Sequence, residues 1–162
     1  MMIKSGGLIY LFDFDGTLCG SNQWKGIMKN NIDCFKSGTY INPSKFDIRW
    51  SILTGRPKMD ILFIKTFCNI HGLTPEIIKT SESFFYKFKN EEEVFDFKTR
   101  YIKSILDGTE PLNIRPIKID KVVYIDNDSD CVRYINSKKQ DYRYFAMAVK
   151  DFYEQKIPIT LM

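Results

Sequence analysis

Two carboxylates, Asp13 and Asp15, lie one residue apart at the end of an apolar run. Residues 8–18 read LIYLFDFDGTL, which is typical of a short buried strand followed by a glycine turn. Alternate residues of a strand point the same way, so both carboxylates can face one ligand. Ionised carboxylates at the edge of a core are costly unless a cation or hydrogen bonds offset the charge. The pattern indicates a functional site, and the alternative is a solvent-facing turn in which aspartate caps the backbone.

A second strand is predicted over residues 46–53, and it ends directly before Thr54-Gly55-Arg56. Pro57 suits the first turn of a helix, which is expected to run to Gly72. The predicted buried face of this helix comprises Met59, Leu62, Phe63, Phe67 and Ile70. Thr54 would then precede a helix N-terminus, where free amides attract anions. A capping threonine without a ligand is the alternative.

A lysine, Lys98, falls on or near the buried face of a helix predicted to begin at Glu91. The other members of that face are Val94, Phe97, Tyr101, Ile102 and Ile105. A lysine there is unusual unless its ammonium meets an anion, although it could also extend to solvent. Lys98 is therefore a candidate for binding the carboxylates or their ligand.

A further acidic run follows the clearest strand of the chain, at residues 121–125. Asp126, Asp128 and Asp130 alternate there, and a helix is predicted after them. Asp126 is the first candidate for a metal ligand because it ends the strand, and the other two are secondary candidates.

Strands alternate with helices along the chain, including a short strand over 75–80 and a last one over 142–149. This order predicts an α/β fold, a mostly parallel sheet with helices on both faces. At 162 residues the chain is expected to form a single domain, residues 1–162. Asp13, Asp15, Thr54 and Asp126 all fall at predicted carboxyl ends of strands, which share one edge of such a sheet.

The composition is that of a globular protein with a formal charge of +4. We expect a cytoplasmic protein, because no apolar run approaches the ~20 residues that span a bilayer and the N-terminus does not read as a signal peptide. The four cysteines, Cys19, Cys34, Cys68 and Cys131, are scattered singly. Their spacing predicts neither a zinc site nor a disulfide.

The string Asp13-Phe14-Asp15-Gly16-Thr17-Leu18 resembles the first motif of the haloacid dehalogenase-like phosphohydrolases. The resemblance implies a Rossmann-like three-layer sandwich of about five strands, with the Asp13 strand central. It also implies phosphoester hydrolysis in which Asp13 is the nucleophile and Asp15 the general acid and base.

The later motifs of that family are similar to the other candidate positions. By this resemblance Thr54 would hold a phosphate oxygen and Lys98 would neutralise the aspartates and the phosphate. Mg²⁺ would be held by Asp13, the backbone carbonyl of Asp15, and Asp126. Residues 19–45, which stand where the family inserts a cap, are long enough only for a flap with a short helix near 24–30.

Within the family, the string WSILTGR at 50–56, the Phe97-Lys98 pair and VYID at 123–126 resemble a capless branch called Swiss-army-knife RNA repair-like. They are also similar to polynucleotide 3′-phosphatase domains. The implied partner is a nucleic-acid end, with Gly55 and Arg56 binding substrate and Arg56 contacting a second phosphate. Arg56 could instead be a surface residue. The alternative functions are a phosphatase for nucleotides or small phosphometabolites, and a non-catalytic binding module.

Aromatic residues alternate with lysines in SFFYKFKN at 83–90. Such a stretch can stack on bases and neutralise phosphates. The sequence favours the simpler prediction, an ordinary strand or edge ribbon with its aromatic side chains turned inward.

Overall fold

A computed structural model describes residues 7–20, 41–110, 118–138 and 142–154. Its five strands are β1 (Leu8–Phe12), β2 (Trp50–Leu53), β3 (Ile78–Lys79), β4 (Lys121–Asp126) and β5 (Tyr144–Ala148). They form one sheet in the order β3-β2-β1-β4-β5, and every neighbouring pair is parallel. The predicted α/β fold is confirmed, and the Asp13 strand is central.

Four α-helices connect or follow these strands in the described residues. They are α1 (Ile61–His71), α2 (Glu91–Asp107), α3 (Ser129–Ser137) and α4 (Val149–Tyr153), and short 3₁₀ turns cover Pro43–Lys45 and Lys58–Asp60. The Asn90 side chain caps α2 by accepting a hydrogen bond from the Glu93 amide at 3.0 Å. Gly72 ends α1 with φ +68°, a left-handed conformation that suits glycine.

The two faces of the sheet are covered by different helices. Alternate residues of β1 divide between the faces: Tyr10 packs with residues of α1 and α4, and Ile9 packs with residues of α2 and α3. This arrangement buries β1 on both sides, as expected for the centre of a parallel sheet. It leaves the carboxyl ends of the strands as the edge at which polar side chains can gather.

Several boundaries differ from the sequence prediction, among them the last strand, β5, which covers Tyr144–Ala148 within the predicted 142–149. β2 begins at Trp50 instead of residue 46, because the Ile48 amide donates to the Phe46 carbonyl in a tight turn before the strand. β3 is confined to Ile78–Lys79 within the predicted 75–80.

The predicted buried face of the helix after Pro57 is wrong in part. The chain first makes the 3₁₀ turn, and α1 then buries Ile64, Phe67 and Cys68. Leu62 and Ile70 are exposed. A 3₁₀ turn has 3.0 residues per turn instead of 3.6, so it rotates the face that the following helix presents to the core.

The stretch 83–90 is neither a strand nor an edge ribbon, so that prediction is also wrong. Phe84 and Phe85 are exposed instead of inward. Gly55 and the 3₁₀ turn after it lie beside this stretch, and backbone hydrogen bonds join the stretch to that turn.

Several expectations fall wholly or partly outside the described residues, including the flap over 19–45 and its short helix near 24–30.

Cys68 and Cys131 are free and buried. Cys19 is disulfide-bonded, so the prediction of a chain without disulfides is wrong. None of the helices in the described ranges is long and apolar enough to cross a membrane.

Candidate active site

Asp13 lies at the carboxyl end of the central strand and is 8% exposed. Its amide donates to the Ile125 carbonyl at 3.0 Å, which extends the pairing of β1 and β4 by one bond. Its Oδ1 accepts a hydrogen bond from Lys98 Nζ at 2.8 Å. Its Oδ2 accepts none from the described residues, and Asp13 lines a cleft together with Lys98 and Asp15.

Lys98 reaches this carboxylate from the buried face of α2 and is itself 4% exposed, so extension to solvent is excluded. Its Nζ also contacts Tyr124 Oη at 2.6 Å and Asp126 Oδ2 at 3.5 Å. Tyr124 Oη in turn donates to Asp126 Oδ2 at 2.6 Å. One ammonium therefore joins the ends of β1 and β4.

Burial and charge act against each other in this cluster. Burial disfavours the ammonium of Lys98, but the carboxylates of Asp13 and Asp126 outweigh it and raise the pKa of Lys98, which stays protonated. Burial, followed by repulsion from Asp126, raises the pKa of Asp13 well above its usual range. A further positive charge near these carboxylates would stabilise their ionised forms.

Asp15 is held by a bidentate pair with Arg56. Arg56 Nη2 lies 2.7 Å from Asp15 Oδ1, and Arg56 Nε lies 2.8 Å from Oδ2. Burial raises the pKa of Asp15, while the guanidinium opposes that shift by favouring the ionised form. A carboxyl balanced between these two influences is suited to exchanging a proton.

Arg56 is 2% exposed, so the alternative of a surface arginine is wrong. Its Nη1 contacts Asp60 Oδ2 at 3.2 Å, and Asp60 is 1% exposed. The rings of Phe14 and Phe63 lie 5.4 and 5.1 Å from its guanidinium carbon. Asp60 and the two rings fix the guanidinium in the orientation that meets Asp15.

Thr54 and Gly55 form the turn after β2. Thr54 Oγ1 accepts a hydrogen bond from the Arg56 amide at 3.1 Å, and its hydroxyl proton can still be donated to a ligand. A Cβ at Gly55 would lie 2.8 Å from Val94 Cγ1, so this position requires glycine for the turn to pack against α2.

The three acids after β4 have different surroundings. Asp126 is 2% exposed, and its Oδ1 accepts from the Asp128 amide at 2.9 Å. Asp128 caps α3 by accepting from the amides of Asp130 and Cys131. Asp130 is exposed and pairs with Arg133 on the same helix. Asp126 and Asp128 line the cleft and Asp130 does not.

A small open cleft of about 180 Å³ joins these residues. It is lined by Asp13, Asp15, Thr54, Gly55, Arg56, Tyr86, Glu91, Val94, Phe95, Lys98, Asp126 and Asp128. Cavities that enclose drug-sized ligands measure about 300–1,000 Å³, so this one has room for a small chemical group but not for a whole drug-sized molecule.

The carboxylates of Asp13 and Asp126 fit a hard divalent cation. Both contact the same ammonium, so they lie close together, and oxygen donors are what Mg²⁺ prefers. The described ranges contain no group of three or more His, Cys, Asp or Glu side chains that could hold a metal ion. Two carboxylates suffice for Mg²⁺, whose remaining positions are commonly filled by water and phosphate.

Sequence reasoning missed two members of the hydrogen-bonded network around the carboxylates, Tyr124 and Asp60. Tyr124 precedes Asp126 by two residues, so strand alternation places both on one face and could have identified it. Asp60 follows Arg56 by four residues, the spacing of a helical ion pair. The 3₁₀ turn between them brings the two together.

Comparison of the chain with protein-family models, with curated proteins and with solved structures gives no match.

Proposed function

We propose that this protein is a Mg²⁺-dependent phosphomonoester hydrolase that forms an aspartyl-phosphate on Asp13. The observation that carries the proposal is the contact of Lys98 Nζ with Asp13 Oδ1 at 2.8 Å, beside Asp126 and Thr54. The ammonium orients the carboxylate through one oxygen and leaves Oδ2 as the nucleophile. The resemblance of the first motif to haloacid dehalogenase-like phosphohydrolases supports the same assignment.

In the first half of the reaction Asp13 Oδ2 attacks phosphorus, and the bond to the leaving oxygen breaks. Asp15 gives its proton to that oxygen. In the second half Asp15 takes a proton from water, the water oxygen attacks phosphorus, and inorganic phosphate leaves Asp13. General acid–base help of this kind contributes roughly 10²- to 10⁴-fold in rate.

Thr54 Oγ1 and Lys98 Nζ would bind the non-bridging phosphate oxygens and stabilise their charge in the transition state. The carboxylates of Asp13 and Asp126, with the Asp15 carbonyl, would hold Mg²⁺, which supplies charge neutralisation between carboxylate and phosphate when bound. Gly55 and Arg56 also line the cleft. Because the Arg56 guanidinium is paired with Asp15, its main role in this arrangement is to position the Asp15 carboxylate.

For the substrate we propose a nucleic-acid end. The cleft is too small to enclose much more than the phosphoryl group, so the remainder of the substrate would lie outside it. The resemblance of residues 50–56 and 123–126 to polynucleotide phosphatase domains points the same way.

The test is Mg²⁺-dependent phosphate release from a panel: glycerol phosphate, an aryl phosphate, mononucleotides, and oligonucleotides with 3′- or 5′-phosphates. We expect the highest kcat/KM on an oligonucleotide and loss of all activity in Asp13→Asn. Asp96→Asn is the matched control, since Asp96 is an exposed aspartate of α2 outside the cleft. Preference for mononucleotides would favour a metabolite phosphatase, and inactivity on every ester would favour a binding module.

A further inference from the structure

An exposed aromatic surface adjoins the cleft. Phe84 and Phe85 are 59% and 65% exposed, and Tyr86, the next residue, lines the cleft itself. Their rings are large apolar surfaces, and a contiguous exposed patch of this kind usually marks an interaction site.

The backbone holds this surface against the 3₁₀ turn Lys58–Asp60, which follows Arg56 closely in the chain. The Lys58 amide donates to the Ser83 carbonyl at 2.9 Å, and the Met59 amide donates to the Phe84 carbonyl at 3.1 Å. The Phe84 and Phe85 rings meet edge to face, with centroids 5.0 Å apart. The surface is therefore positioned relative to the cleft by the segment that directly follows the cleft residues Thr54, Gly55 and Arg56.

We infer that Phe84 and Phe85 form a stacking subsite for the unpaired bases next to the phosphorylated end of a single-stranded nucleic acid. This inference rests on the proposed phosphatase function and names how its substrate is recognised. Two residues of extended chain span at most about 7 Å. Phe84 therefore lies within about one nucleotide's length of Tyr86, which lines the cleft. Every base has a face that can stack on an aromatic ring, so the subsite would tolerate any sequence.

The charge around the surface limits the contact to the end of the strand. Lys87 and Lys89 are exposed beside it, but Glu91, Glu92 and Glu93 come directly after Asn90. A long phosphate backbone would gain little there, whereas stacking does not depend on net charge. Recognition by bases, not by backbone charge, is thus what distinguishes this subsite from a general basic groove.

The experiment compares two substrates that differ only in their bases. One is a short single strand with a terminal phosphate, and the other has the same length and phosphate but abasic sites at its last three positions. The ratio of their kcat/KM values is measured for the wild type and for Phe84→Ala/Phe85→Ala. We expect the wild type to prefer the base-bearing strand by about tenfold or more and the variant to lose that preference.

Two further variants separate stacking from folding. Phe84→Trp/Phe85→Trp should retain the preference, because it keeps aromatic faces at both positions. Tyr142→Ala removes an exposed aromatic residue that does not line the cleft, and it should also retain the preference. Equal preference in the wild type and Phe84→Ala/Phe85→Ala, or turnover of both substrates by the wild type without any preference, would overturn the inference.

Failure of the phosphatase proposal is distinguished by the same reagents. If no ester is hydrolysed, fluorescence anisotropy of the labelled strands reports binding alone. Base-dependent binding that Phe84→Ala/Phe85→Ala abolishes would support the subsite, and its absence would overturn it. Sedimentation that shows a dimer of the wild type and a monomer of the variant, with base preference unchanged, would assign the surface to contact between copies instead.

Discussion

At the scale of single residues, the site is a buried cluster with more acid than base. Lys98 Nζ contacts the carboxylates of both Asp13 and Asp126, so two negative charges share one ammonium. Burial and the Asp126 charge raise the pKa of Asp13. Ionisation of Asp13 therefore costs more free energy in the folded protein than in the unfolded chain.

We predict that Asp13→Asn stabilises the metal-free protein near neutral pH, on the order of 1 kcal/mol in free energy of unfolding. A raised pKa means that the folded state holds its proton more tightly than the unfolded state. The wild type therefore loses stability relative to the variant as pH rises from about 4, the ordinary aspartate value, through the raised pKa of Asp13. Urea unfolding across pH measures the difference, which should vanish in acid.

Mg²⁺ should act in the opposite direction and stabilise the wild type more than the variant. It should raise the midpoint of thermal unfolding of the wild type more than that of Asp13→Asn, because the variant lacks one of the two carboxylates. Asp96→Asn should respond like the wild type. An equal response of Asp13→Asn and wild type would contradict the assignment of Asp13 as a ligand.

The Arg56 network gives a second prediction at this scale. Breaking a buried pair by removing one partner typically costs about 3–5 kcal/mol, because the other charge is left uncompensated. Arg56→Gln should be destabilised by an amount of this order, and Arg56→Gln/Asp60→Asn should recover part of it, because one uncompensated carboxylate is gone.

Arg100 and Asp96 provide the matched control for that cycle. They have the same four-residue spacing, and Nε of Arg100 lies 3.0 Å from Asp96 Oδ2, but both side chains are mostly exposed. Arg100→Gln should cost less than about 0.5 kcal/mol. Additive effects of Arg56→Gln and Asp60→Asn in urea titrations would rule out the coupling.

At the scale of elements, the Asn136 side chain covers one position on the outer edge of β5. Asn136 of α3 donates from Nδ2 to the Ala146 carbonyl at 2.9 Å and accepts at Oδ1 from the Ala146 amide at 2.9 Å. An amide side chain is the one group that matches both backbone partners of an edge strand at once. It blocks the position at which another chain could pair.

Asn136→Ala should therefore lower the free energy of unfolding by about 1–3 kcal/mol, the worth of two hydrogen bonds with partly buried partners. It should also increase aggregation, measured by light scattering during thermal unfolding. Ser137→Ala is the control, because among the described residues the Ser137 hydroxyl bonds to the Tyr134 carbonyl of its own helix and to no strand. Similar stability and scattering for the two variants would contradict this role of Asn136.

Strand ends were predictable from the sequence, and turns were not. The run before Asp13 and the run before Asp126 are apolar, short and followed by acids, so pattern alone placed both residues at the ends of β1 and β4. The buried face of α1 was not predictable in the same way, because the 3₁₀ turn before it leaves no mark in hydrophobic spacing. Exposure of Phe84 and Phe85 depends on backbone bonds to distant residues, which spacing cannot reveal.

At the scale of the whole molecule, the order of strands brings the site together. β1 stands between β2 and β4, so the chain crosses from one side of β1 to the other, and the ends of these three strands carry Asp13, Thr54 and Asp126. Ligands of open parallel sheets bind at such a reversal of strand order. Lys98 reaches these strand ends from α2 over one face of the sheet and places an ammonium beside the carboxylates of Asp13 and Asp126.

The most direct test of aspartyl-phosphate chemistry is exchange of ¹⁸O between labelled inorganic phosphate and water, followed by mass spectrometry. When inorganic phosphate bonds to Asp13, one phosphate oxygen leaves as water. Hydrolysis of the aspartyl-phosphate then adds an oxygen from solvent water to the phosphate, so the assay needs no knowledge of the substrate. We expect exchange that requires Mg²⁺, occurs in the wild type and in Asp96→Asn, and is absent in Asp13→Asn. Exchange no faster in the wild type than in Asp13→Asn would contradict this expectation.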